Sequence, residues 1–84
     1  GSIVVPYSGQ EVNIVTAGDA NLRISIDGKT IESSMYGKDV GDKGQVHVHE
    51  PGLYNIVKTN SSENHTLEIF VATPGFEIFT FTFG

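Results

Sequence analysis

The 84-residue sequence contains no cysteine, no tryptophan and only one methionine. Without cysteine the chain can form no disulfide, thiolate nucleophile, CxxC redox pair or cysteine-ligated zinc site. No apolar run approaches the roughly 20 residues that cross a bilayer as a helix, and no stretch resembles a signal peptide. These absences exclude many enzymes and predict no membrane contact by this segment.

Basic residues are also scarce: the chain has 5 Lys and Arg against 10 Asp and Glu, a formal net charge of −5. No basic cluster exists to neutralise a phosphate backbone, so nucleic acid is not an expected partner. The length predicts one domain over residues 1–84, with Gly1 and Ser2 interpreted as a cloning remnant. A domain this short buries only roughly 60 to 65 per cent of its unfolded surface, which predicts a thin stability margin.

Alternation of apolar and polar residues is the main structural signal. It is clearest at residues 21–27, where Leu22, Ile24 and Ile26 are predicted to face inward. Asp27-Gly28 follows directly, and this pair predicts a two-residue type I′ hairpin. Further short strands are predicted at residues 3–5, 11–16, 29–32, 45–49, 53–58 and 65–71.

Turn-rich segments separate these strands. Residues 33–45 form the longest predicted loop, with Met35 and Tyr36 as its apolar anchors, and residues 60–64 are predicted to be another polar turn. No stretch shows sustained helical periodicity. Six to eight short strands predict an all-β fold, specifically a small antiparallel β-sandwich or jelly roll.

The C-terminal stretch places Phe79, Phe81 and Phe83 at every second position after a Pro74-Gly75 turn. In a regular strand their rings share one face, and buried aromatic rings supply much of the core of a small domain. This pattern predicts a central strand in which Phe81 is buried.

Candidate chemical groups are few. His47 and His49 share a strand face, and Glu50 or His65 would be needed to complete a metal site. Because the alternate residues are inward-facing valines, the pair is interpreted as a solvated face, and no metal or cofactor is predicted. No paired acids and no nucleophile elbow are recognisable, so no catalytic residue is predicted and the chain is not expected to be an enzyme.

The three tyrosines are the candidate contact residues for a ligand or a neighbouring domain: Tyr7, Tyr36 and Tyr54. A tyrosine ring can stack on the C–H face of a sugar. Tyr54 is flanked by apolar strand residues, and the chain has no tryptophan, so packing in the core or at its rim is favoured over ligand binding.

Four segments carry a resemblance to a known family: GKDV at 37–40, EPGLYNIV at 50–57, HTLEI at 65–69 and FTFTFG at 79–84. Together with Asp27-Gly28 they resemble the C-terminal domain of DipZ-type proteins. Those are envelope thiol–disulfide proteins in which a membrane region related to cytochrome c biogenesis factors and a thioredoxin-like domain precede a β-sandwich of carbohydrate-binding-module type.

The resemblance implies a non-catalytic accessory domain outside the cytoplasm, in the periplasm or cell envelope, whose partner is the thioredoxin-like domain of the same chain. Tyr36 and the loop of residues 33–44 are the first candidates for that contact. A carbohydrate-binding module for envelope polysaccharide is the alternative, with carbohydrate as the partner. A histidine-dependent, cupin-like metal protein is a third hypothesis.

Overall fold

The computed structural model describes residues 1–72 and 75–84, and the regular structure in these residues is almost entirely β-strand. The strands are β1 (Ser2–Ala17), β2 (Ala20–Ile26), β3 (Lys29–Thr30), β4 (Gln45–Val48), β5 (Gly52–Val71) and β6 (Glu77–Phe83). Two single-turn 3₁₀ segments, Ser33–Met35 and Asp42–Gly44, lie between β3 and β4. Within the described ranges, no helix has the length and apolar character needed to cross a membrane.

All strand pairs are antiparallel and belong to one sheet, in the order β3-β2-β5-β1-β6. β4 pairs with residues 20–23 of β2 and β3 with residues 25–26, so both occupy the edge of β2 that faces away from β5. The predicted all-β, antiparallel fold class is therefore confirmed.

The two longest strands bend sharply. β5 has 20 residues, and a straight strand of that length would span about 66 Å, yet the longest dimension of the molecule is 33 Å. Part of the bend lies at an irregularity in the β1–β5 pairing. Gly9 pairs with Glu63, but Glu11, two positions further along β1, pairs with Lys58, five positions away on β5. Because β5 bends in this way, the single sheet closes over its own core.

The core draws on both ends of the sheet, with contributions from β1, β2, β4 and β5. The alternation predicted for β2 is confirmed, because Leu22, Ile24 and Ile26 are buried. The side chains that are almost fully excluded from solvent include Val12, Ile14, Leu22, Ile24, Val46, Val48, Ile56, Val57, Leu67 and Ile69.

The Asp27-Gly28 hairpin is also confirmed. Both residues have positive φ, 53° for Asp27 and 84° for Gly28, as a type I′ turn requires. The flanking pairs are Ser25 with Thr30 and Ile26 with Lys29.

Two predicted chain breaks are wrong. Residues 60–64 were expected to form a turn between two strands, but they lie inside β5, and the strands predicted at 3–5 and 11–16 are both part of β1. Polar residues are compatible with an irregular bulge as well as with a reversal, so composition does not separate the two. Pro6, which cannot donate to a ladder, lies where β1 has a described partner on one side only.

The prediction of a central, regular C-terminal strand is also wrong, since β6 is an edge strand that pairs with β1. Val15 pairs with Thr80 and Thr16 with Ile78, so Phe79 is the extra residue of a bulge. Phe79 is 62% exposed and Phe81 is only half-buried. The bulge removes Phe79 from the expected aromatic stripe. Pro74, part of the predicted preceding turn, lies outside the described residues.

The long loop between β3 and β4 is fastened to β5 through Asn55. The Asn55 side-chain oxygen accepts a hydrogen bond from the Lys38 N–H at 2.8 Å, and the Asn55 N–H donates to Asp39 Oδ2 at 2.7 Å. The side-chain amide of Asn55 also donates to Asn13 Oδ1 at 2.8 Å. Gly37 lies so close to this strand that an added Cβ would overlap the backbone carbonyl of Asn55.

Candidate functional site

The three candidate tyrosines serve mainly as packing residues in this fold. Tyr7 is only 8% exposed, while Tyr36 and Tyr54 are half-buried and pack against the core. The Tyr36 hydroxyl accepts a hydrogen bond from the Gly44 N–H at 3.2 Å, and the Tyr54 hydroxyl donates to the Glu50 carbonyl at 2.8 Å. In residues 1–72 and 75–84 no two of the three tyrosine rings pack against each other.

Tyr7 belongs instead to a row of aromatic rings on β1 and β6, formed by Phe81, Phe83 and Tyr7. The Phe81 and Phe83 rings stack with centroids 6.3 Å apart, and the Phe83 and Tyr7 rings stack at 5.9 Å. The Tyr7 ring then meets His65 at 6.1 Å in a tilted arrangement. This aromatic row connects the C-terminal strand to a polar cluster around His65.

The main exposed apolar surface on the C-terminal side is the β6 edge, defined by Phe79, Phe83 and the outer backbone of the strand. Phe79 is 62% exposed and Phe83 is 43% exposed. Among the described residues β6 pairs only with β1, so its outer N–H and C=O groups have no strand partner. Glu77, at the start, is the one charged residue of β6.

An aromatic edge of this kind is unusual for an isolated domain. Natural proteins usually protect sheet edges with lysine, proline or a covering segment, because free backbone groups pair readily with another chain. Leu53, also 62% exposed, pairs with Val15, the residue that pairs with Thr80 of β6. Leu53 therefore lies in the same row of paired residues as Thr80, on the other side of β1 from β6.

A polar group, the His65 cluster, comprises Asp27, Glu63 and His65. His65 Nδ1 lies 2.6 Å from Asp27 Oδ2, and His65 Nε2 lies 2.7 Å from Glu63 Oε1. Asp27 Oδ1 accepts a hydrogen bond from the Thr66 N–H at 2.8 Å. The cluster thus joins the β2–β3 turn, where Asp27 sits, to the middle of β5.

The members of this cluster change each other's pKa. Hydrogen bonds to Glu63 and then to Asp27 raise the pKa of His65 above its usual 6.5. The backbone hydrogen bond from Thr66, followed by the bond to His65, lowers the pKa of Asp27. Burial, together with the nearby carboxylates, raises the pKa of Tyr7, whose buried hydroxyl has no hydrogen-bond partner in the described residues.

The geometry determines what His65 can do chemically. Both ring nitrogens are taken up by carboxylates, so neither is left to accept a proton from a nucleophile. Ser8 lines the same shallow depression as Tyr7, Asp27 and His65, but it does not bond to the imidazole. The arrangement favours a fixed, protonated imidazole.

The sequence alone did not reveal this cluster. Glu63 and His65, two positions apart on one strand, do share a face, which is a local signal for a paired acid and imidazole. The third member, Asp27, lies 38 residues away from His65 and was expected only to form a turn. Its second role depends on how β2 pairs with β5.

The other two histidines are exposed, as predicted: His47 lies on the solvent face of β4, between the buried Val46 and Val48, and His49 directly follows the strand. The rings of His47 and His49 are 3.9 Å apart, and His47 Nε2 lies 3.7 Å from Asp19 Oδ1. In the part of the chain that is described, no three His, Cys, Asp or Glu side chains are arranged to hold a metal ion.

We expect no stoichiometric binding of zinc at micromolar concentration. His47 and His49 supply two exposed ligands, and in the described residues no group of three His, Cys, Asp or Glu side chains, Asp19 included, is placed to hold a metal ion. Zinc sites in proteins use three or four protein ligands. Calorimetric titration with zinc measures this directly. Micromolar binding that disappears in His47→Ala would contradict it and favour the cupin-like hypothesis.

The model of a protein family described as thioredoxin-like C-terminal domain matches residues 1–84. The match spans every strand described above, including the β6 edge and the His65 cluster. No curated protein matches the chain.

Proposed function

We propose that this chain, which belongs to the thioredoxin-like C-terminal domain family, is a non-catalytic domain that docks onto the thioredoxin-like domain of its parent protein. Family membership makes it an accessory domain of a thioredoxin-like protein. Direct docking and the absence of catalysis are the proposed steps.

The β6 edge is the observation that carries the docking proposal. Aromatic side chains are enriched in protein interfaces, and an unpaired strand edge can add a strand from a partner. Phe79, at 62% exposure, contributes little to its own core and offers a large apolar side chain to a neighbour. Interfaces between domains of one chain bury on the order of 600 to 1,500 Å², so docking at the β6 edge is expected to involve more than Phe79 alone.

The loop of residues 33–44, the first candidate for this contact on sequence grounds, is a poorer docking surface than the β6 edge. Its apolar anchors Met35 and Tyr36 pack against the core, and the Tyr36 hydroxyl is already bonded to Gly44. Gly37 and Asp39 tie the same loop to β5. We therefore move the proposed contact from Tyr36 to Phe79 and Phe83.

Two features support a non-catalytic role. The chain has no cysteine, so thiol–disulfide chemistry in a thioredoxin-like protein falls to another domain. His65 has both ring nitrogens engaged by Asp27 and Glu63. A location outside the cytoplasm is proposed on the resemblance to DipZ-type proteins.

Phe79→Ser in the intact parent protein is expected to lower the melting temperature of the thioredoxin-like domain and change its disulfide-reductase rate, as removal of residues 1–84 would. The reason is the loss of a buried aromatic contact at the docking surface. The matched control is Val4→Ser, because Val4 is 57% exposed but lies on β1 away from β6. Thermal melts and reductase assays of the three proteins provide the comparison.

Docking would be refuted if Phe79→Ser, Val4→Ser and the protein lacking residues 1–84 all had the melting temperature and the reductase rate of the unmodified parent protein. Binding of the isolated domain to a glycan array would then favour the carbohydrate alternative. That alternative needs tyrosines open to a sugar ring, whereas Tyr7 is buried and the Tyr36 and Tyr54 hydroxyls are engaged.

A further inference from the structure

The His65 cluster joins two parts of the fold that are far apart in sequence. Asp27 occupies the β2–β3 turn, and its two carboxylate oxygens contact His65 and the Thr66 N–H. Glu63 approaches the opposite side of the imidazole ring from within β5. His65 retains 20% side-chain exposure, so protons from solvent can reach it.

We propose that Asp27, Glu63 and His65 form a pH-sensitive latch, which holds the β2–β3 turn against β5 while the imidazole is protonated and loosens when it is not. The proposal rests on contacts within this domain and stands whether or not the β6 edge docks onto a neighbour.

The number of N–H donors on the His65 imidazole explains why the latch depends on its protonation. A protonated imidazole has two N–H donors, one for each of the carboxylates that lie 2.6 and 2.7 Å away. A neutral imidazole has one N–H, so its other nitrogen would direct a lone pair at a carboxylate at the same short distance. One of the two contacts must therefore open when His65 loses its proton.

The aromatic row carries this change toward the C-terminal strand. Tyr7 packs against His65 on one side and stacks on Phe83 on the other. Tyr7 is 8% exposed, so its ring has little room to move independently of these neighbours. A shift of the imidazole ring is therefore expected to alter the packing of the Phe83 ring.

The remaining charged groups near the latch are few. Lys29 and Glu32 line a second depression, on the β3 side of the cluster, together with Asp27, Glu63 and His65. On the β1 side the facing titratable group is Tyr7. Neither Lys29 nor Glu32 bonds to the imidazole, so Glu32 provides a natural control.

The direction of the pH dependence follows from linkage. The pKa of His65 is raised in the folded state, so its stabilising contribution is complete below its unfolded value of 6.5 and is lost as pH rises through the folded value. The pKa of Asp27 is lowered, so its contribution is complete above 3.8 and is lost as pH falls through the folded value. The latch is therefore closed in mildly acidic solution and opens toward alkaline pH.

The test uses the chain with His47→Gln and His49→Gln, in which His65 is the sole imidazole. NMR titration from pH 5 to 9 is expected to give a His65 pKa above 6.5, with Tyr7 and Phe83 ring signals shifting at the same midpoint. Glu63→Gln and Asp27→Asn are each expected to lower that pKa, while Glu32→Gln changes it less. Asparagine tolerates the positive φ of Asp27 and can keep the Thr66 bond.

A His65 pKa at or below 6.5 would overturn the latch, as would an equal effect of Glu63→Gln and Glu32→Gln. Ring signals of Phe83 that stay constant while His65 titrates would overturn the coupling through Tyr7. Urea melts provide a second readout: the free energy of unfolding is expected to fall with pH through the His65 midpoint, and to fall less in Glu63→Gln.

Discussion

Replacing Ile14 with alanine is expected to lower the free energy of unfolding by about 2–5 kcal/mol, the usual range for a large-to-small change in a closed core. Ile14 has no exposed surface and lies on β1, which pairs with β5 on one side and β6 on the other. Small domains have total stabilities of about 5–15 kcal/mol, so this single change removes a large share.

Urea melts monitored by circular dichroism measure this loss as a shift in midpoint at constant slope. Phe79→Ala is the informative comparison, because phenylalanine is larger but Phe79 is 62% exposed and sits in a bulge. It is expected to cost about 0.5 kcal/mol or less. A larger loss at Phe79 than at Ile14 would mean that β6 packs inward and that the described register is wrong.

Gly37→Ala is expected to destabilise the domain by about 1–3 kcal/mol through overpacking. The new methyl group would overlap the backbone carbonyl of Asn55, which cannot rotate aside as a side chain can. Relief requires the loop to move away from β5, which weakens the bonds from the Gly37 N–H to the Ile56 carbonyl at 3.2 Å and from the Asp39 N–H to the Asn55 carbonyl at 3.1 Å.

Gly41→Ala is the matched control within the same loop. The nearest atom to a Cβ at Gly41 is the Gln45 carbonyl oxygen at 3.8 Å, an ordinary contact, and the Gly41 N–H can keep its bond to that oxygen. Its melting midpoint is expected to match that of the unmodified domain. Equal midpoints for the Gly37 and Gly41 variants would show that the loop is not held tightly against β5.

Phe79 shows how far aromatic periodicity can be trusted in this chain. The every-second-residue pattern correctly predicts a strand at residues 77–83, but it also predicts one continuous aromatic face in a central strand. A single bulge between the positions paired with Val15 and Thr16 breaks that face. Bulges depend on how two strands fit together, and no local residue pattern here signals one.

Asp27 and His65 show the same limit for the candidate site. Asp27-Gly28 marks a hairpin because only a few residues tolerate positive φ, which is a local property of the backbone. That Asp27 also bonds His65 depends on β2 pairing with β5, which brings together residues 38 apart in sequence. Residue types alone did not single out this pair from the other acids and histidines.

The sequence by itself determined the all-β class, the inward face of β2, the tight hairpin and the lack of thiol chemistry. Each follows from side-chain chemistry or from backbone preferences that act over a few residues. Only the tertiary structure decided that β5 runs unbroken through its polar stretch, that β6 is an edge, and that Asp27 meets His65. These features arise from hydrogen bonds and packing between distant segments, whose register is set by the whole sheet.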